Sequence, residues 1–405
     1  MPVQNELIKR IPRQTHRIKF PTLLFLTIFT MLLAIHCIGN TSLIYFGGYW
    51  LDDIYLFKRL LYVLLLVKIV FFSSYRPREM LKLIAVLLIA LGSALGSGDF
   101  GLFELFLLAV AAKNVEPKTI VRWFASIKGG ALLITIGLWK AGVLPQLNYW
   151  NGNGYYNTLG FCHRNVLGAN IAILCMCWFY LRYDRLKLWD VLAWAAIGVG
   201  FYFVAYSRSG AVIVLLVSMG VFLFRKTDRF WLGSHKTGYI AAYGLLALLG
   251  VSLWCMLSYS PYSAFWTNLD KLFTTRLKSA NYCFEEYGLS LFGQEIPFVS
   301  SMEAQFQQTS KLILDNAYCR LLLYYGLVPA CMFILVYMRL LTRTLQARDG
   351  ALFISLMLLA VYGLSERYML DAFYQFPMVV AFQYLNRPRA HHGFAHKTVN
   401  SGRNQ

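Results

Sequence analysis

Ionic side chains recur at a few places where long apolar stretches of this chain begin or end, and there they need a reason. His163 and Arg164 stand in LGFCHRNVLG, Arg208 in AYSRSGA, Arg276 and Lys278 in TTRLKSA, and Asp315 and Arg320 in LDNAYCRLLLYYGL. Glu366 and Arg367 form a further pair in GLSERYML. Guanidinium groups are permanently charged and match phosphate oxygens two at a time. Histidine has the unperturbed pKa best suited to moving a proton near neutrality, and the carboxylates of Asp315, Glu285 and Glu286 are the other candidates. Aromatic residues nearby, among them Tyr156 and Tyr206, offer flat faces for sugar rings. The set suits holding a phosphorylated ligand and moving a proton beside it. Simpler roles compete at two positions: Arg208 as a snorkelling interfacial charge, and Asp315-Asn316 as a helix N-cap.

The element that must position these groups is a membrane-embedded helical bundle. Of 405 residues, 58% are hydrophobic and only 14% charged, with mean hydropathy +0.52. A soluble domain would be about a quarter charged. Windows long enough to cross a hydrocarbon core fall near 20–38, 54–72, 80–96, 100–114, 120–142, 165–182, 188–205, 209–224, 238–257, 317–339, 350–364 and 371–386. The fold class expected is an all-α polytopic membrane protein of about twelve transmembrane helices. Residues 1–19 read as a basic cytoplasmic tail leading into a retained anchor, 20–386 as the bundle, and 387–405 as a second basic tail.

The net charge of +19 is distributed unevenly. Basic residues collect in both tails and in the connections at 73–79, 113–119, 182–187, 225–236 and 339–349. All of these fall on one side of a twelve-span arrangement, which the positive-inside rule makes cytoplasmic. That accounts for the charge without nucleic acid. The complementary connections then lie outside the cytoplasmic membrane, and two of them are long: 143–164 and the large extracytoplasmic loop 258–316. Arg208 caps a hairpin on this side, facing an outer cavity.

Motifs of soluble chemistry are missing: no Walker A loop, GxGxxG, HExxH or GxSxG occurs. No carboxylate pair stands at a spacing suited to a divalent metal and its diphosphate, so no metal or cofactor is expected. Cys175 and Cys177 lack CxxC spacing, and Cys162 and Cys283 are the pair whose loops would allow a disulfide.

Clustered arginines, an apolar groove and aromatic rings together describe a lipid-linked pyrophosphoryl oligosaccharide at the outer leaflet. In the order GFCHRNVLGAN, YSRSG, TTRLKSANYCFEEYGLSLFGQ and LDNAYCRLLLYYGL, the chain resembles the bacterial polysaccharide repeat-unit polymerases, relatives of the O-antigen ligases. The likeness by motif covers residues 150–345. It departs from the family's more frequent His-Pro-Asn, since Arg164 replaces the proline. The resemblance implies inverting glycosyl transfer from undecaprenyl diphosphate to a sugar hydroxyl. By position it makes Arg208 and Arg276 the arginines that hold the diphosphate and matches His163 to the family's histidine. With Asp315 as a further candidate base these are the catalytic candidates, and Arg164, Lys278, Arg320, Tyr206 and Tyr156, from the charged and aromatic pattern, are read as binding substrate. Membrane lipid, a flippase and a chain-length regulator are the implied partners. The alternatives are a ligase that passes finished glycan to another acceptor, and a flippase or transporter of the same lipid-linked glycan.

Overall fold

The computed structural model of the protein describes residues 19–45, 50–150, 155–300, 303–304 and 311–386. Tails 1–19 and 387–405 therefore lie, but for Lys19, outside the described residues. Apolar runs form helices here because backbone groups removed from water must be paired within the segment. Among the described residues, eight helices are long and apolar enough to cross a membrane. These are α1 (Phe20–Gly39), α3 (Pro77–Ser97), α5 (Pro117–Lys140), α6 (Arg164–Arg182), α7 (Leu188–Ala205), α8 (Arg208–Trp231), α9 (His235–Ser258) and α13 (Leu327–Gln346). Pro21, Pro77 and Pro117 open their helices, where a missing N–H costs nothing.

The other four segments expected to cross take different forms. Helix α2 (Trp50–Phe72) is long, but Lys58, Arg59 and Lys68 interrupt its apolar run. Helices α4 (Gly101–Ala111) and α14 (Gly350–Tyr362) have 11 and 13 residues. The first is about 16 Å long, half a hydrocarbon core. The segment 371–386 is only the short α15 (Phe376–Ala381) between 3₁₀ turns at Arg367–Leu370 and Phe382–Asn386. These short pieces are buried almost throughout and form the centre of the bundle, packed beside α6 and α13.

The span expected at 317–339 is broken into α12 (Ala317–Leu323) and α13, and the cause is local. The stretch at 290–294 crosses the break and supplies backbone partners: Leu327 N–H donates to Ser290 O at 2.9 Å, and Gln294 N–H to Tyr324 O at 3.1 Å. Gly326 permits this at φ +95, because a Cβ there would lie 2.4 Å from Gly293 N. Between α9 and α12 stand two further helices, α10 (Ala264–Leu272) and α11 (Arg276–Tyr287), with α11 packed on α9 and α12. The small hairpin of β1 (Asn148–Trp150) and β2 (Tyr155–Asn157) pairs Tyr149 with Tyr156. No disulfide joins Cys162 to Cys283.

The connections sort into two groups, each contacting its own members. At one end, Ser42 N–H meets Gly160 O, Asn40 meets Tyr374, and Asn316 Nδ2 meets Leu364 O. At the other, Tyr75 hydroxyl meets Val110 O, Gln383 meets Val115 O, and Gly233 N–H meets Leu345 O.

Helices α6 and α8 cross closely. A Cβ on Gly168 would lie 2.4 Å from Ser207 Oγ, and one on Gly210 would lie 2.6 Å from the Gly168 Cα. Small residues at such a crossing let two backbones pack directly. Gly168→Ala and Gly210→Ala are each expected to destabilise the protein by about 1–3 kcal/mol through overpacking. Gly137→Ala and Gly200→Ala, which would meet nothing within 4 Å, should not. Thermal unfolding in detergent measures this, and equal melting of all four variants would refute the tight crossing.

Candidate functional site

A cavity of about 780 Å³ opens where α1, α2, the α3–α4 turn, α12 and the 363–375 segment meet. Its ionic lining is Lys58 and Arg59 from α2, Asp99 from the turn, Glu104 from α4, Arg320 from α12, and Arg367 and Asp371. His36 from α1 completes it. Two of the cations are neutralised locally. Lys58 Nζ lies 2.8 Å from Glu104 Oε2, and Arg320 Nη2 lies 3.4 Å from Asp99 Oδ2. Arg320 is also sandwiched near the rings of Phe298 and Tyr324, each centroid 4.5 Å away. Burial alone would raise the Asp99 carboxyl. Arg320, the Gly101 N–H and the Tyr325 hydroxyl outweigh it and hold the carboxyl below its usual range.

Arg59 and Arg367 are different. Neither guanidinium has an ion pair or hydrogen bond among the described residues, and both are exposed to the cavity they line. Burial would lower the Arg367 pKa, but Tyr368 and the carboxylates of Asp315, Asp99 and Asp371 outweigh it, so the group stays charged. Lys128 braces the segment that follows Arg367: its Nζ donates to Phe373 O at 2.9 Å and lies 3.9 Å from the Tyr374 ring centroid.

Behind this cavity lies a second cluster, centred on Glu366, which is 2% exposed. Arg276 Nη2 approaches its Oε1 at 2.6 Å, Ser209 Oγ at 2.7 Å, and Asn165 Nδ2 at 2.9 Å. Arg276 Nε reaches on to Asp315 Oδ2 at 3.2 Å. All three donors of Glu366 arrive at Oε1, so Oε2 accepts no hydrogen bond from a described residue. Burial raises the Glu366 carboxyl to about 7, against the pull of Arg276 and with help from Asp315. The backbone at Glu366 is extended, with φ −143 and ψ 144. Consecutive side chains on extended backbone point to opposite faces. Glu366 therefore turns into the cluster and Arg367 into the cavity.

His163 is the N-cap of α6, its Nδ1 accepting from the Asn165 N–H at 3.1 Å. Its pKa is lowered to about 4, chiefly by burial, with Asp315 opposing and Arg164, Arg276 and Arg367 adding to the fall. With Nδ1 occupied as acceptor, the ring proton sits on Nε2. His163 is thus a neutral donor at physiological pH rather than a poised base. Asn316, not Asp315, caps α12, accepting from the N–H groups of Tyr318 and Cys319.

Of the residues singled out in the sequence, the fold brings His163, Arg276 and Asp315 into one cluster and Arg320 into the adjoining cavity. Arg208 lines neither: it is exposed, its guanidinium 5.8 Å from the Tyr206 ring centroid. One residue along α8, the helical turn points Ser209 at Glu366 instead. Tyr206 caps α7 in the left-handed conformation and stacks on Tyr202 at 5.0 Å. Lys278 is exposed on α11, Arg164 is half-buried at the start of α6, and the Tyr156 side chain lies outside the described residues. Glu366 and Arg367 stood out in the sequence only as a charged pair without an assigned role, and Asp99, Lys58 and Arg59 were not among the site candidates. A sequence signal existed for the last two, because adjacent cations inside an apolar window of α2 are costly unless used.

Among the described residues no group of three His, Cys, Asp or Glu is placed to hold a metal ion. No family model matches the chain, and no curated protein or solved structure matches it either.

Two measurements check this geometry. A protonated carboxyl band in infrared difference spectra should titrate near pH 7 and disappear in Glu366→Gln; its absence from the wild type would remove the raised carboxyl. His163→Ala should cost about 1 kcal/mol of stability by loss of the cap, and His163→Asn should restore it. Equal stability of the two variants would reject the capping role.

Proposed function

We propose that the protein polymerises lipid-linked oligosaccharide repeat units at the outer face of the cytoplasmic membrane. It transfers the growing glycan from an undecaprenyl diphosphate carrier to a sugar hydroxyl on a second carrier. In this reading the chain passes the membrane about twelve times, both tails are cytoplasmic, and the 258–316 loop and the charged cavity face outward. The observation that carries the reading is the pair of guanidinium groups, Arg59 and Arg367, that have no ion pair or hydrogen bond among the described residues, in an open cavity near a buried carboxyl raised to about 7. Apolar side chains of α2 exposed beside the cavity, such as Leu56 and Leu60, suit a long lipid tail.

The chemistry follows from these positions. Arg59 and Arg367, with Arg320 behind them, hold the donor diphosphate. As the anomeric carbon–oxygen bond to phosphate breaks, charge develops on the diphosphate, and preorganised guanidinium groups stabilise it. The acceptor hydroxyl forms the new anomeric bond from the side opposite the diphosphate, inverting the centre. It enters from the α6, α8 and α11 side of the 365–367 segment, where its proton passes to Glu366 Oε2. Arg276, Ser209 and Asn165 leave that oxygen free by occupying its neighbour. Asp315 lies within electrostatic reach of both Glu366 and Arg367, so charge on one side of the segment is felt on the other.

Deleting the protein and sizing the surface glycan distinguishes the classes. Single repeat units with no long chains support polymerisation; complete loss of surface glycan indicates a flippase; long chains retained on the lipid carrier indicate a ligase. For purified protein given lipid-linked repeat units, Glu366→Gln should lower turnover by about 100-fold or more. Wild-type turnover should fall as pH drops below about 7, because the base works only when ionised. Arg367→Gln should lose roughly 100-fold and more than Arg208→Gln does. A larger loss at Arg208 would move the diphosphate to the α7–α8 turn.

A further inference from the structure

At the opposite end of the molecule, a second concavity of about 590 Å³ lies between the start of α5 and the α6–α7 linker. Lys118 and Arg122 line it from α5, and Arg182, Arg185 and Lys187 from the end of α6 and the linker, with Asp184 as the one acidic lining residue. That carboxylate is weak compensation. Asp184 is 83% exposed and stands 4.0 Å from Lys118 Nζ, a separation and exposure at which an ion pair contributes little. Arg182 is engaged sideways by Asp190, at 3.3 Å, and by the Trp178 ring. Arg122 and Arg185 have no ion pair or hydrogen bond among the described residues.

The linker carrying these cations is fixed in place. Arg225 of α8 donates to Leu186 O at 2.9 Å and to Asp184 O, and the Tyr183 hydroxyl meets Asp228 Oδ2 at 2.9 Å. Like charges are thus held together around an open space, which is unfavourable unless an anion fills it. The immediate flank is apolar and aromatic: Trp123 follows Arg122, and Leu188 and Trp189 follow Lys187, with Trp189 77% exposed. Exposed tryptophan beside basic side chains marks the level of lipid headgroups.

We propose that this concavity binds the phosphate headgroup of an anionic phospholipid, whose acyl chains lie along the exposed faces of α5 and α7. A soluble phosphate would satisfy the cations but would have no use for the apolar flank. The site is separate from the 780 Å³ cavity and does not depend on its function.

Native mass spectrometry of the full protein in detergent, with phosphatidylglycerol and phosphatidylcholine of equal chain length, tests the assignment. Wild type should retain phosphatidylglycerol in preference. Lys118→Gln/Arg122→Gln/Arg185→Gln should lose about 100-fold of that preference, each cation contributing about fivefold. The charge-conserving Arg122→Lys/Arg185→Lys variant should keep most of it, which separates lost binding from lost folding. Excess inorganic pyrophosphate should leave the lipid bound. Undiminished lipid in the triple variant, an equal loss in Arg59→Gln at the far cavity, or displacement by pyrophosphate would each overturn the proposal.

Discussion

Three donors from three helices converge on one oxygen, Glu366 Oε1, and the arrangement of the charged end depends on that point. Asn165 comes from the first turn of α6, Ser209 from the first turn of α8, and Arg276 from the first residue of α11. A buried carboxylate without such partners would be untenable, and a buried guanidinium without a carboxylate equally so. Each therefore fixes the other. The bond ties the 258–316 segment to the bundle, sets the rotation of α8 that sends Arg208 outward, and fixes which face of the 365–367 backbone meets the cavity. Removing one partner would leave the others as uncompensated buried polar groups, so the cluster orders the site as a unit.

The same logic separates the two kinds of cation in the cavity. Lys58 and Arg320 spend their charge on Glu104 and Asp99, which makes them part of the wall. Arg59 and Arg367 keep theirs. Four cations against three carboxylates leave the cavity positive, and a positive cavity bordered by apolar helices concentrates anionic amphiphiles before any specific contact forms.

Much of the fold was legible because hydropathy is a long-range average. The boundaries of α1, α3, α5, α6 and α7 follow the ends of apolar runs, with Pro, Lys or Arg at most of their starts and Gly, Asn or Tyr at several of their ends. The basic connections that contact one another lie at one end of the bundle. What hydropathy could not show was how an apolar run is used. GLFELFLLAVA and the segment around FPMVVA have the same composition as a crossing helix, yet each is a short buried piece. Leu323-Tyr324-Tyr325-Gly326 reads as continuous helix until Gly293 and Gln294 are brought against it from a different part of the chain. The site was legible in its residue types and less so in its members. His163, Arg276, Asp315 and Arg320 were found because they interrupt apolar sequence near loops. Arg208 was favoured for the same reason, but a helix turns by about 100° per residue, and charge alone does not tell which of Arg208 and Ser209 faces inward. Glu366 gains its character only from burial, which no local pattern encodes.

Helix α4 has a consequence for how the chain is made. Its residues are buried on all sides, and the carbonyl groups that close it are held by Lys68 from α2, which donates to Ala111 O and Lys113 O. Its other neighbours include residues 376–386, which leave the ribosome long after it does. Until then, this short helix and the Lys68 ammonium have only part of their surroundings. The nascent protein must hold this unfinished core in the insertion machinery or against lipid, with the polar carbonyl–lysine contact as its first internal tether. Completion of the bundle is thus a late event, and pauses or premature release during synthesis would strand a membrane intermediate with its centre open.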